Sequence, residues 1–457
     1  MQVYNNLNKK LEAFSPANGE TITMYSCGPT VYDVSHVGHA RSCIVWDMVY
    51  RFLKFHFQDH KLEGQQEYKT IWIRNITNVD DKIVNRARDL DISPDKLSRI
   101  YTHEFWSDMD ALNVSWPDFE PRATDYIREM IKFIEDLIEK GFAYESKGDV
   151  YFRVDKHKDY GQLKGLSLEE LEKGEARVEA NTKKEKQLDF ALWKAFPNED
   201  YSFDSPWGKG RPGWHLECST MIKSILEELG LGSTLDIHSG GDDLVFPHHE
   251  NECAQSECLT DSKLANYWMH NGMVMINGKK MSKSENNFMT IKDLLKKYNA
   301  NTIRYFALST HYKKQINFSD EALTAAQTGL NKLLEAIDKN EKEKDMHEGL
   351  INTFRNAMKQ DFNTAQALAL LFDNKDKPLT VSYLLQVLGF DLSQKSSQSS
   401  THNGEVLDNV MQLVLDIRAK ARENKDFATS DLVRDSLTNI GITIKDHKDS
   451  RSDWEIG

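Results

Sequence analysis

Long apolar runs are missing from this 457-residue chain. No stretch of about 18 consecutive apolar residues occurs, so no membrane-spanning helix is expected and a membrane is excluded as a partner. The start, Met1-Gln2-Val3-Tyr4-Asn5-Asn6, lacks a basic segment followed by an apolar one, so no secretory signal is expected. Cysteine is scarce: Cys27, Cys43, Cys218, Cys253 and Cys258 are the whole set. An odd, sparse set argues against a disulfide framework and fits a reducing cytoplasm. Metal ligation or simple burial is then the default role for each. An excess of positive charge is absent too, the net charge being −13. DNA is therefore not an expected partner, although a local basic face stays compatible with this balance because screening acts beyond about 8 Å.

What is present reads as a globular chain of two to four units, with 39% hydrophobic and 28% charged residues. Residues 21–27 form an expected strand that enters a loop at Gly28-Pro29-Thr30. Helical spacing follows over 39–55, with Ile44, Val45, Met48 and Phe52 as its apolar stripe. A second strand covers 70–74. Strand, helix and strand over this length predict a parallel, doubly wound α/β sheet. Residues 57–67 read as an extended polar connection. An amphipathic helix is expected over 123–140, with Ile127, Met130, Ile131, Ile134 and Ile138 on one face and Gly141 as its stop. A hairpin around Lys147-Gly148 and a solvated charged excursion over 167–187 come next. Another strand, 235–238, precedes Ser239-Gly240-Gly241. From Asn301 the chain reads as mainly helical. Residues 391–404 are Ser/Gln-rich and read as a linker. A helical stretch over 405–440 follows, with Val433, Leu437 and Ile440 on one stripe, then a short strand over 442–444 and a tail bearing Trp454.

Two strings carry nucleotide chemistry. His36-Val37-Gly38-His39 sits where a strand gives way to a helix, the position at which open α/β sheets bind nucleotides. Free N–H groups at a helix N-terminus suit a phosphate, Gly38 leaves room for adenosine, and two imidazoles can donate to phosphate oxygens. Alone, the string is more often a chance helix start. Lys280-Met281-Ser282-Lys283-Ser284 follows a turn opened by Asn277-Gly278. Its two lysines can track a polyphosphate and neutralise departing pyrophosphate, although a bare pair of this kind is usually a solvated turn. Together and in this order, the two strings resemble the signatures of the class I aminoacyl-tRNA synthetases.

Four further residues separate from the background as zinc ligands: Cys27, Cys218, His248 and Glu252. Two thiolates, an imidazole and a carboxylate suit Zn²⁺. If Pro247 starts a helix, His248 and Glu252 face the same way and His249 cannot share that face. Singly, each has a plain alternative: Cys27 as a small core residue, as Cys43, Cys253 and Cys258 are read, and His248–Glu252 as a surface pair.

The resemblance sharpens here. Cys27-Gly28-Pro29-Thr30-Val31-Tyr32-Asp33 running into His39 is similar to the cysteinyl-tRNA synthetase form of the signature. So are Gly210–His215, Phe246-Pro247-His248-His249-Glu250-Asn251-Glu252, and Lys280–Ser284, covering nearly the whole chain in the family's order. The resemblance implies a Rossmann-type catalytic domain, an ATP- and magnesium-dependent activation of L-cysteine, and esterification of the 3′-terminal adenosine of tRNA(Cys). It implies one zinc per subunit on Cys27, Cys218, His248 and Glu252, with the substrate thiolate bound directly to that ion. A soft thiolate ligates zinc far better than a serine hydroxyl does, so no editing site is required. His36, His39, Lys280 and Lys283 are implied as catalytic. Gly28, Thr30, His36, Gly38, His39, Asp243 and Lys283 are implied on the nucleotide, and Thr77, Trp214 and His238 around the cysteine. A cytoplasmic monomer is expected.

The implied organisation is a catalytic domain in two halves, 1–116 and 205–260, split by a connective insertion, 117–204. A linking module with the lysine signature (261–315), a helical bundle (316–390), the linker (391–404) and an anticodon-binding domain (405–457) complete it. The chain departs from the family in Val37, where isoleucine is commoner, in longer surface connections at 57–70 and 225–234, and in a bundle shortened after Asp361–Ala365. Two rivals share these strings. A ligase passing activated cysteine to a small amine would charge no tRNA and would not need residues 405–457. A non-catalytic RNA-binding relative would show no cysteine-dependent ATP–pyrophosphate exchange.

Overall fold

The computed structural model describes residues 1–59, 66–175, 182–199, 201–281, 287–339, 345–393, 411–422, 424, 426–439, 442–446 and 452–456. The chain opens with a hairpin, β1 (Gln2–Asn5) and β2 (Lys10–Ala13), and continues through β3 (Thr21–Ser26), α1 (Val37–Lys54) and β4 (Lys69–Arg74). Helices α2 (Asp81–Asp89), α3 (Pro94–Ala111) and α4 (Ile127–Glu139) lead to β5 (Ala143–Ser146), β6 (Asp149–Phe152), α5 (Leu168–Glu175), β7 (Phe190–Ala195) and β8 (Gly210–Pro212). Then come α6 (Trp214–Glu228), β9 (Leu235–Gly241), α7 (Glu250–Thr260), β10 (Ala265–Asn271), β11 (Val274–Ile276) and β12 (Lys279–Lys280). The remainder of this part is α8 (Ile291–Lys297), α9 (Ala300–Leu308), β13 (Ile316–Phe318), α10 (Asp320–Lys339), α11 (Glu348–Met358), α12 (Thr364–Asp373) and α13 (Pro378–Val387).

The central sheet has the order β10-β9-β3-β4, and every neighbouring pair is parallel. The chain moves from β3 outward to β4 and later returns to the other side of β3 with β9. That reversal leaves a crevice beyond the C-terminal ends of β3 and β9, where such sheets bind ligands. Alternation along the strands explains the two covered faces. Ile22, Met24 and Trp72 join Ile44, Val45, Met48 and Phe52 of α1 in one core, so the expected stripe of that helix is its buried face. Tyr25, Ile71 and Ile73 turn the other way, against Ile222, Ile225 and Leu226 of α6.

Between β4 and β9 the chain builds a second, antiparallel sheet, β5-β6-β7-β8. The expected hairpin forms with both Lys147 and Gly148 at positive φ, as a tight turn between strands requires. In α4, Met130 and Ile134 are buried together with Phe133 and Leu137, and Gly141 ends it at φ 81°. Ile127, Ile131 and Ile138 are half-buried at the border.

Three expectations need correction. Residues 57–59 are not extended: Phe55–Asp59 continues α1 as a wide helical turn, because Phe55 packs against Phe354 and Tyr383. Residues 225–228 are not a surface connection but the end of α6, with Ile225 and Leu226 in the core. The excursion over 167–187 contains α5, anchored by buried Leu171.

Asp108 of α3 is 3% exposed, and burial lifts its carboxyl to about 6. A carboxyl raised in the folded state stabilises only while protonated, so its contribution is lost as pH rises from about 3.9 through the folded value. Asp108→Asn is expected to gain roughly 2 kcal/mol at neutral pH and nothing below about pH 4. Urea unfolding at the two pH values checks this.

Met1–Leu392 forms one compact unit and Ser393–Gly457 another. The second consists of α14 (residues 411–422), α15 (Phe427–Asn439) and an antiparallel hairpin, β14 (Ile442–Asp446) and β15 (Ser452–Ile456). The helical stretch expected over 405–440 is thus interrupted. Asp426 accepts the Thr429 N–H at 3.1 Å and starts α15 afresh. Trp454 is no tail but the strand partner of Ile444, and both pack on Met411 and Leu437 with Val433. Ile440, residues 394–404 of the linker and residues 405–410 lie outside the described residues. Among the described residues no helix is long and apolar enough to cross a membrane.

Candidate active site and metal centre

Cys27 follows the last residue of β3, and its N–H is held by Ser239 O of β9 at 3.1 Å. Cys218 lies in the first turns of α6, which starts at Gly213 in close contact with β7: a Cβ there would sit 1.9 Å from Ala191 O. His248 belongs to a wide turn, Val245–His249, and Glu252 to the first turn of α7. These four segments bring one ligand atom each to within 4.8 Å of every other. Cys27 Sγ is 4.0 Å from Cys218 Sγ and 3.6 Å from Glu252 Oε1. His248 Nε2 is 3.7 Å from Cys218 Sγ and 2.8 Å from Glu252 Oε1. Zinc bonds of about 2.0–2.3 Å put ligand atoms about 3.3–3.8 Å apart on a tetrahedron, so a cation fits among them.

The charges fit as well. The hydrogen bond from Cys27 pulls the Cys218 thiol down to about 6. Burial, then Cys218, pushes Cys27 well above the ordinary thiol value. Burial alone would lower His248, but the facing Glu252 carboxylate lifts it to about 10. Glu252 is in turn held well below the usual carboxylate range, His248 and His238 outweighing its burial. At neutral pH the cluster therefore holds two protons, on Cys27 and His248, which is the charge a divalent cation would replace.

The sequence placed a helix start at Pro247 and turned His249 away; both points need correction. α7 begins at Glu250, and Phe246 is extended at φ −142° within the preceding turn. His249 consequently points to the same centre from the other side, its Nε2 3.3 Å from Cys27 Sγ. His238, His249, Cys27 and Glu252 form a second grouping with metal-ligand spacing. His238 is buried, and its Nε2 meets Glu252 Oε2 at 2.8 Å. Trp214 is 37% exposed and stacks on His248 at 4.0 Å between ring centroids. His215 Nδ1 lies 3.0 Å from His248 Nδ1. Only the repeated histidines after Gly213 and Phe246 hinted at so dense an imidazole layer.

The nucleotide strings meet at the start of α1, the helix that follows β3 and Cys27. His36 caps α1, its Nδ1 accepting the Gly38 N–H at 3.1 Å, while His39 Nδ1 accepts the His36 N–H at 3.3 Å. The two rings stack at 3.9 Å. Burial, then His36, pushes His39 well below the ordinary histidine value, so it is neutral with its single proton on Nε2. A Cβ at Gly38 would lie 2.8 Å from His36 Cε1, so any side chain there would displace the capping imidazole. The same position lies 3.7 Å from Met281 Cε, so the second signature reaches the first. Val37 N–H donates to Met289 O at 3.1 Å, fastening the following stretch alongside. The expected Asn277-Gly278 turn links β11 and β12. Lys283 and the side chain of Lys280 fall outside the described residues.

Gly28 packs on Asn75, whose Oδ1 accepts the Gly28 N–H at 2.8 Å; a Cβ would fall 1.6 Å from Asn75 O. Thr30 pairs with Thr77, and Thr77 N–H donates to Pro29 O at 3.1 Å. The buried Thr77 hydroxyl reaches Glu217, next to Cys218. Asp243 is exposed in the turn after β9.

Residues 13–328 match the model of the tRNA synthetases class I (C) catalytic domain, and residues 353–374 that of the DALR domain. The chain is 41% identical to the cysteine–tRNA ligase of Heliobacterium modesticaldum over 488 residues, covering 98% of each. It is 42% identical to the cysteine–tRNA ligase of Lactococcus lactis subsp. lactis over 463 residues, again 98% of each. In fold it is similar to methionyl-tRNA synthetase of Mycobacterium tuberculosis bound by methionyl-adenylate, at TM-score 0.59 and 16% identity over 82% of this chain and 87% of that one. With this match running from end to end, the chain belongs to the cysteine–tRNA ligase family of class I tRNA synthetases.

Proposed function

We propose that the chain activates L-cysteine with ATP and transfers it to tRNA(Cys). In the first step a carboxylate oxygen of cysteine bonds to the α-phosphorus of magnesium-bound ATP, and the bond to the bridging oxygen breaks to release pyrophosphate. In the second, a ribose hydroxyl of the 3′-terminal adenosine takes the acyl group, its proton leaves, and AMP departs. The observation that carries this reading is the meeting of Cys27, Cys218, His248 and Glu252 at the end of β3, with His36 and His39 stacked at the start of the helix that follows that strand. A zinc ion held by those four residues would supply a soft acceptor for the substrate sulfur.

The chain's own groups do the rest. His36 and His39 have Nδ1 engaged by backbone N–H groups, so each offers Nε2–H toward the α-phosphate as its charge grows. Lys280 and Lys283 offset the charge of departing pyrophosphate. Gly28, Thr30 and Gly38 let the nucleotide approach the backbone, and Asp243 accepts from the ribose hydroxyls. Thr77, Trp214 and His238 surround the cysteine, His238 by orienting Glu252. Residues 405–457 are assigned to the tRNA, where they read the anticodon.

ATP–pyrophosphate exchange with cysteine against serine, followed by charging of tRNA(Cys), tests the assignment. Exchange without charging would favour transfer to a small amine, and absence of both a non-catalytic relative. A sharper check uses His36→Asn. Asparagine is itself a good cap, so the melting temperature should hold while exchange falls about 10²–10³-fold with loss of one transition-state donor. His39→Ala should fall in the same range.

A further inference from the structure

His249 and His270 belong to neither nucleotide string nor to the four-ligand cluster, yet both are buried beside it. His270 lies on β10 opposite Gly240 of β9. Its Nε2 is 2.8 Å from His249 Nδ1, and His249 Nε2 is 3.3 Å from Cys27 Sγ. The three groups thus form one continuous line. The imidazole of His249 is seated directly over Gly240, where a Cβ would come within 2.8 Å of Cε1 and 3.0 Å of Nε2. The backbone has been left bare at the one point where this ring needs the space.

A neutral imidazole carries one N–H, so the line can be protonated in two ways. Either Cys27 donates to His249, which donates to His270, or the direction is reversed. Once Cys27 serves as a metal ligand its sulfur carries no proton and can only accept. We propose that His249 and His270 are positioning residues for the metal centre: His270 Nε2–H donates to His249 Nδ1, and His249 Nε2–H donates to the Cys27 thiolate. The proposal rests on Cys27, Cys218, His248 and Glu252 being the ligand set.

The physical need is charge. Those four ligands bring two thiolates and a carboxylate, three negative charges against the two of a zinc ion. A further thiolate from the substrate would add a fourth. Donors aimed at the anionic ligands disperse that charge: His249 serves Cys27, and His238 Nε2, 2.8 Å from Glu252 Oε2, serves the carboxylate. His270 makes the arrangement one-directional, because its own proton occupies Nδ1 of His249 and leaves only Nε2 to donate. Outer partners of this kind typically change metal affinity about 10–100-fold.

The test measures Zn²⁺ affinity by competition with a chromophoric chelator and records the sulfur-to-metal charge-transfer band with Co²⁺, both without substrate. His249→Phe should bind Zn²⁺ about 10–100-fold more weakly and shift the Co²⁺ band. His249→Gln, which keeps an N–H donor, should recover most of the affinity. His270→Phe should weaken binding less, since His249 survives with its tautomer free. Gly240→Ala keeps every polar side chain but displaces the His249 ring, and should reproduce the His249→Phe spectrum; it decides the matter if His249→Phe does not fold. If Cys27→Ser and Cys218→Ser both lose the metal while His249→Phe and Gly240→Ala bind within about 3-fold of the parent, the outer pair is wrong and the ligand set stands. If Cys218→Ser keeps the metal and His249→Phe loses it, His249 is itself a ligand, and the ligand set falls together with the pair.

Discussion

Stripping the metal, or replacing Cys218 by Ser, is expected to remove cysteine-dependent ATP–pyrophosphate exchange while leaving the protein folded. The parent should prefer cysteine to serine by about 10⁴-fold or more, the range reached when a site is built to bond a group the competitor lacks. Cysteine and serine differ too little in size for a cavity to supply that ratio. Cys218 lies on α6, a helix anchored by Leu216, Met221 and Ile222 in addition to the site residue, so losing one sulfur should cost function far more than stability. Binding of the metal has a defined pH dependence. Burial and Cys218 keep a proton on Cys27, and Glu252 keeps one on His248. The metal must displace both, so affinity should rise with pH across the neutral range by up to about two protons' worth. Zinc content, chelator competition between about pH 6 and 8 and exchange rates with both amino acids check the set. Metal-free protein that still discriminated cysteine from serine would sink the reading.

Three of the four central strands were legible because they are short apolar runs and α1 has an unambiguous stripe: residues 21–27, 39–55 and 70–74 become β3, α1 and β4 almost residue for residue, 235–238 starts β9, and β10 was not among them. The four ligands were separable because thiols, imidazole and carboxylate are rarely spaced so, and the fold brings them together. His249 was lost for a specific reason. Helical phase assigns adjacent residues to different faces, and that holds only inside a regular helix; the wide turn before Glu250 breaks the phase and lets both imidazoles converge. His270 carried no local signal at all. It sits in a strand as one buried residue among others, and only the pairing of β10 with β9 sets it beside His249. In the C-terminal unit, an aspartate at 426 competes for a helix N–H and splits a stretch whose periodicity looked continuous.

Arg304→Met is expected to lower stability by about 3–5 kcal/mol, the range for breaking a buried ion pair: Asp47 keeps Arg51 Nε at 2.8 Å, but it loses its fully buried partner, and the Leu112 and Leu388 carbonyls lose a donor. Arg304 is 1% exposed, and its Nη1 donates to Asp47 Oδ2 at 2.6 Å and to Leu388 O at 3.1 Å. Its Nη2 donates to Leu112 O at 3.1 Å and to Asn113 O at 2.7 Å. One guanidinium thereby ties α1, the end of α3, α9 and the end of α13. Gly389 is bare for the same reason, a Cβ there falling 2.3 Å from Arg304 Nη1. Burial alone would raise the Asp47 carboxyl, but Arg304, then Arg51 and the Ser115 N–H, outweigh it and hold it below the usual range. A depressed carboxyl contributes stability above its unfolded value near 3.9, and that contribution is lost as pH falls through the folded value. In Arg304→Met the carboxyl moves up relative to the parent, so the gap between the two proteins should be widest at neutral pH and narrow toward acid. Replacing both partners, Arg304→Met with Asp47→Leu, should cost less than the sum of the single changes, because the two groups share one buried interaction and only the partly exposed Arg51 then loses its carboxylate. Since α1 presents His36 and His39 at its other end, exchange measured at a temperature where the variants stay folded should change little. A large loss of exchange without loss of stability would mean instead that this buried network acts on the site through the orientation of α1.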